Sequence, residues 1–202
     1  WVITAAHCLF EDIRFVQYKK FSGHPMHSYK SGTMTRIIRT VAHPQYRRQE
    51  YDAPLNDIAL VRVKKIPINI FASLSAIDYT TLLGLSVKYA GFGMTQKYIP
   101  HEMDEEIDFL DEIRPLQTGE GVVISCEEYE DGVVKPFGPC ICVAPKCSNN
   151  KQTILGGDSG GPLFYDNKII GVTSFTFDDD VPTGAFSAIS PHITWLHSVI
   201  NR

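Results

Sequence analysis

The chain has 202 residues, 44% of them hydrophobic, with 19 basic against 23 acidic side chains and a formal net charge of -4. That length and apolar fraction support one large domain or two small ones and exclude a disordered chain, and the charge leaves no global basic field to draw it onto nucleic acid. No apolar run approaches the roughly 20 residues that span a bilayer, and no charged n-region followed by an apolar h-region is present.

In chain order the sequence reads as short apolar runs between turn residues: "WVITAA", "TRIIRTVA", "DIALVRV", "SVKYAGFG", "GPLFY", "KIIGVTSFTF" and "GAFSAIS". Runs this short and this frequent predict an all-β chain, a sandwich or a barrel. A change of texture near residues 71–86 marks a crossing between two sub-domains. The acidic stretch "HEMDEEIDFLDEI" at 101–113 and "DDD" at 178–180 read as solvated loops, because charge runs usually face water. The closing "SPHITWLHSVINR" predicts a helix, with Ser190 as N-cap and Pro191 at the first helical position. Ile193, Trp195, Leu196, Val199 and Ile200 follow at near-helical spacing.

The cysteines are five: Cys8, Cys126, Cys140, Cys142 and Cys147. An odd count means a free thiol, an intermolecular bridge, or a partner outside this sequence. A zinc reading of "CICVAPKC" lacks both a paired C-x-x-C arrangement and a fourth ligand, so no metal is expected. No other cofactor is expected either.

Chemistry concentrates in "GGDSGGPLF", residues 156–164. Its glycines permit backbone conformations closed to other residues, so a tight loop can point two amide N–H groups inward beside an exposed serine hydroxyl. Acyl transfer requires that arrangement, whereas the bland alternative is a Gly-rich hairpin turn. A serine hydroxyl is a poor nucleophile unless a base takes its proton, and a histidine base needs a carboxylate to fix its tautomer. His7 ends an apolar strand, and Asp57 opens an apolar run that must otherwise be buried. Alone, each has an ordinary structural explanation; with Ser159 they make a catalytic set.

"TAAHC", "NDIAL" and "GDSGGP", in that order, resemble the three signature segments of the trypsin/chymotrypsin family of serine proteases. The order histidine, aspartate, serine separates this family from subtilisins and α/β-hydrolases. The resemblance covers essentially the whole chain. It implies two antiparallel β-barrels with a C-terminal helix at about 190–202, the first barrel incomplete: residues 1–76 as the remainder of the N-terminal barrel and 77–202 as the C-terminal barrel. By resemblance, Ser159 is the nucleophile, His7 the general base and then acid, Asp57 its orienting partner, and the N–H groups of Gly157 and Ser159 the oxyanion hole. Asp158 matches the residue that pairs with a newly cut α-ammonium and so activates a zymogen.

The same resemblance places Thr153 at the floor of the specificity pocket, where trypsin-like members carry aspartate. It places Ser174, Phe175, Thr176 and Gly184 in the pocket walls. An uncharged floor cannot neutralise a buried lysine or arginine, so cleavage after small or medium apolar residues is expected. It also implies a Cys126–Cys142 bridge, leaving Cys140 and Cys147 to pair, although four cysteines allow three connectivities. Leu155 stands where the family usually has a cysteine, and the partner expected in the later "TFDDDVPTGAF" segment is missing as well, so a whole disulfide is lost; Tyr165 likewise replaces a common cysteine. A secreted monomer acting on proteins or peptides and met by protein inhibitors follows from the family, with neither a nucleic-acid nor a membrane partner. The rival class is a catalytically silent homologue serving as a binding module. The resemblance finally implies that residue 1 lies inside a strand, that the partner of Cys8 precedes it, and that the 202-residue chain alone turns over little.

Overall fold

The computed structural model of the chain describes residues 1–9, 13–18, 33–47, 54–94, 116–130, 133–136, 139–146, 152–177 and 183–202. The acidic stretch 101–113, Cys147 and Asp178–Asp180 lie outside them.

Four strands form the first sheet: β1 (Val2–Thr4), β2 (Phe15–Tyr18), β3 (Thr33–Ala42) and β4 (Ala59–Val63), ordered β1-β4-β3-β2. All pairings are antiparallel; β1 sets Val2 opposite Val61, and β2 sets Phe15 opposite Arg36. Ala59, Leu60 and Val61 are consecutively buried in β4, the mark of a strand covered on both faces.

The second sheet contains β5 (Ser73–Leu74), β6 (Ser86–Gly91), β7 (Gln117–Ile124), β10 (Cys140–Pro145), β11 (Pro162–Tyr165), β12 (Lys168–Phe177) and β13 (Thr183–Ala188). A small hairpin of β8 (Glu127–Glu130) and β9 (Val133–Pro136) stands apart. The order β11-β6-β7-β10-β13-β12 closes on itself because β12 also pairs with β11, giving a six-strand antiparallel barrel. Closure removes the exposed edges of those strands. Strand β5 adds to β12 in parallel. The turn between β11 and β12 is Asp166-Asn167, both at positive φ, the two-residue form that matches strand twist and suits Asn and Asp.

Leu82, Val87, Ile141, Leu163, Ile170 and Phe186 fill the closed barrel. A second core lies between the units: Ala5, Ile58 and Leu60 from the first, Val172 and Ile189 from the second, and Leu196 and Val199 from the terminal helix. That helix starts as a 3-10 turn, Ser190–His192, and continues as α1 (Ile193–Ile200). Here the structure corrects the expected cap. Ser190 Oγ accepts the N–H of Tyr79 at 3.2 Å, so the hydroxyl ties the helix to the loop before β6 instead of capping its own first turn.

Candidate active site

His7 stands in the 3-10 turn His7–Leu9 that follows β1. Ala5 and Ala6 just before it are fully buried, and Leu9 N–H donates to Ala6 O, so the turn is anchored at its start. Asp57 lies two residues before β4 and is inaccessible to solvent. Its predecessor Asn56 has φ 52°, a left-handed conformation that asparagine tolerates, and this turn directs the Asp57 carboxylate inward.

Three donors meet that carboxylate. His7 N–H donates to Oδ1 at 2.8 Å, His7 Nδ1 lies 2.6 Å from Oδ2, and Ser174 Oγ donates to Oδ2 at 2.6 Å. The distances are those of charge-assisted hydrogen bonds, the condition under which a buried carboxylate is tolerated. Ser174 reaches it because the β12–β13 register slips between Thr173 and Phe175, and such a bulge re-aims a side chain. The hydrogen bond to Asp57 above all, and one to Cys8, push the His7 pKa up to about 10 against the opposing effect of burial. The other ring nitrogen, Nε2, has Cys8 Sγ as its neighbour at 3.7 Å.

The 155–161 loop presents Ser159 exposed to solvent. Asp158 N–H donates to Leu155 O, Gly160 N–H to Thr173 O and Gly161 N–H to Asp158 O. Among the described residues the N–H groups of Gly157 and Ser159 have no protein acceptor. Gly157 has φ 93°, which a side chain would oppose. Gly160, at φ 80°, packs so closely on β1 that a Cβ would lie 2.3 Å from Thr4 Oγ1. Thr173, bonded to this loop through both backbone groups, adjoins Ser174 on Asp57. The loop therefore abuts the segment leading to His7, yet among the described residues Ser159 Oγ makes no hydrogen bond to His7.

Asp158 turns away from the solvent side of the loop. Oδ1 accepts Gly93 N–H at 2.7 Å and Oδ2 accepts Leu155 N–H at 3.0 Å. The carboxylate borders a cavity of about 180 Å³ that Tyr89 and Thr153 also line. Tyr89 OH and Thr153 Oγ1 are both buried without a hydrogen-bond partner among the described residues. Burial and the Asp158 charge push the Tyr89 pKa up to about 12, so its hydroxyl stays neutral.

Among the described residues, the specificity residues inferred from sequence border two different cavities. Thr153 lines the Asp158 cavity, whereas Ser174 and Phe175 line a separate cleft with Asn56 and Ser187. At Gly184 the neighbour is Ile154: a Cβ there would lie 3.0 Å from Ile154 Cγ1. Thr176 is exposed, and Phe175 stacks edge-on against Phe177 at 5.0 Å.

Cys126 and Cys142 form a disulfide. Cys140 carries a free thiol, which corrects the expected Cys140–Cys147 pair. Burial pushes that thiol's pKa up to about 12. The Sγ atoms of Cys126, Cys140 and Cys142 lie within 4.8 Å of one another, but two are oxidised, and metals bind thiolates. Sequence reading missed the Ser174–Asp57 bond, which depends on a bulge, and the clamp on Asn56, whose Oδ1 lies 3.0 Å from His192 Nε2 across 136 residues.

A closed six-strand β-barrel packed on a curled four-stranded sheet and finished by a C-terminal helix is the fold of a chymotrypsin-like serine protease. The chain belongs to the trypsin family, whose domain model matches residues 1–196. It is 29% identical over 213 residues to Granzyme M of Rattus norvegicus, covering 100% of this chain and 76% of that one. To Chymotrypsin-like elastase family member 1 of Canis lupus familiaris it is 27% identical over 215 residues, covering 99% and 77%. Among solved structures, mouse neuropsin, a serine protease, superposes with a TM-score of 0.70 at 22% identity, covering 98% of this chain and 83% of that one. No helix among the described residues is long and apolar enough to cross a membrane.

Proposed function

We propose that the chain is an endopeptidase acting through His7, Asp57 and Ser159, with residues 1–76 and 77–202 supplying the two halves of the site. Ser159 Oγ attacks the scissile carbonyl carbon while His7 Nε2 takes its proton, and His7 then delivers that proton to the leaving amine. Water hydrolyses the resulting acyl-enzyme by the same route. Asp57 holds the Nδ1–H tautomer, and the uncommitted N–H groups of Gly157 and Ser159 receive the oxyanion. The observation that carries this reading is the 2.6 Å His7–Asp57 contact on a carboxylate shared with Ser174. Labelling by a fluorophosphonate probe, abolished in Ser159→Ala, tests it; equal labelling of the variant overturns it.

Activation as a zymogen rests on the Asp158 cavity. A carboxylate with two unpaired hydroxyls suits an α-ammonium, whose three N–H groups need three acceptors. For specificity, the closeness of Ile154 to Gly184 leaves little room beside that wall and favours small or medium apolar side chains over Lys or Arg. A peptide-library profile dominated by cleavage after arginine contradicts this. Protein substrates, protein inhibitors, a monomeric state and secretion complete the proposal. The Cys8 thiol beside His7 Nε2, where the serine hydroxyl belongs, favours a second reading, a catalytically silent binding module. Absence of probe labelling after activation supports that reading.

A further inference from the structure

His192 lies in the 3-10 turn that opens the terminal helix and is only 2% exposed. Its Nδ1 lies 2.7 Å from Ala188 O, and its Nε2 lies 3.0 Å from Asn56 Oδ1. The same Asn56 amide donates from Nδ2 to Gln45 O at 3.2 Å. Gln45 N–H in turn donates to Nδ1 of His43 at 3.2 Å, and the His43 ring meets the rings of His192 and Trp195 edge-on at 4.8 and 4.7 Å. Asn56 is thus gripped from two sides, by the segment that follows β3 and by the residues that lead into α1.

The grip falls on the residue that aims Asp57. Asn56 holds φ 52°, and Ile58 N–H donates to Asn56 O at 2.8 Å, so Asp57 is the middle residue of a three-residue turn. A non-glycine residue persists in a left-handed conformation when its surroundings over-determine it. Asparagine also suits this partner. Its amide has a donor and an acceptor end, so a cationic His192 can donate to Oδ1, and a neutral one can accept from Nδ2 once the amide turns over. The contact therefore survives either state of the ring. We propose that His192 is a positioning residue: through Asn56 it fixes the turn that aims the Asp57 carboxylate at His7. This inference rests on His7 and Asp57 acting as base and orienting partner.

The test follows the His7 ring by NMR in the full chain, a readout that needs no turnover. His192→Phe keeps a ring in place and removes both nitrogens. The His7 titration, raised in the wild type by the hydrogen bond to Asp57, should move down in this variant. In the active enzyme kcat should fall about ten-fold with KM unchanged, the signature of a misplaced catalytic group. A merely structural role would lower the melting temperature and leave the titration of the folded chain in place. Asn56→Gly keeps the left-handed backbone, serves if His192→Phe fails to fold, and should shift His7 in the same direction. Adding His192→Phe to it should move His7 no further, because both act through one contact. His192→Gln, which can still donate an N–H to Asn56, should restore part of the shift. A His7 titration unmoved by His192→Phe, or additive shifts from the two variants, overturns the proposal. Absence of Ser159 labelling in the wild type counts against the protease reading alone, since the His7 titration still reads the contact.

Discussion

The six-strand barrel buries Leu82, Leu163 and Phe186 among its own strands, whereas the four-stranded sheet buries Ile58 and Leu60 by laying them on Val172, Ile189 and Leu196 of the other unit. The Asp57 carboxylate lies at that junction, held by His7 from one unit and by Ser174 from the other. The barrel is built to stand by itself, and the His7–Asp57 pair depends on packing the sheet does not own. The unit with a core of its own and the unit that carries the proposed base are different parts of the chain.

The largest expected effect comes from replacing one site residue in each unit. Ser159→Ala should lower kcat/KM of the active enzyme at least about 10^4-fold and leave the melting temperature unchanged, because the side chain is exposed and unbonded. Asp57→Asn should also cost about 10^4-fold in rate. It should lower the melting temperature too, since three donors lose their buried carboxylate. A thermal scan showing no destabilisation in Asp57→Asn breaks the claim that this carboxylate ties the units together.

Core truncation sharpens the contrast. Phe186→Ala should cost about 3–5 kcal/mol and Leu60→Ala about 2–5 kcal/mol, from lost transfer energy and residual cavity. Hydrogen exchange should separate them: Phe186→Ala lowers protection throughout, while Leu60→Ala lowers it in β3 and β4 but spares β6, β7 and β10. Equal loss everywhere in both variants means that the barrel is not independent. A smaller effect is expected from Cys126→Ser. Opening a loop with a sequence separation of 16 residues should cost about 3 kcal/mol, read as a lower denaturant midpoint.

Much of this contrast was legible in the sequence. All seven apolar runs became strands, since alternation and turn residues act locally. His7 and Asp57 were recognisable as a pair because their motifs are short and ordered along the chain. Features created by register were not. Ser174 looked like a pocket wall, and only the bulge in β12 turns its hydroxyl to Asp57. Cys140 and Cys142 lie two apart on one strand, so spacing could not say which meets Cys126. Thr153 lines the cavity beside Asp158, and a position along the chain does not report which cavity a side chain enters.

The smallest expected effect concerns proton affinity at the junction. His7 is pushed up to about 10 by its hydrogen bond to Asp57 and then by Cys8. A histidine protonated at neutral pH cannot accept a proton from Ser159, so activity should rise along an alkaline limb. Because the folded pKa exceeds the unfolded value near 6.5, the charged pair adds stability that is fully present below that value. The contribution is lost as pH rises through about 10. Cys8→Ala removes the second cause and keeps the first. The titration of the His7 ring, followed by NMR, should move down but stay above 6.5, the activity limb should follow it, and the stability window should narrow from its alkaline side. If instead the titration is unmoved by Cys8→Ala and falls only in Asp57→Asn, the thiol has no hold on the base, and the sheet controls His7 through Asp57 alone.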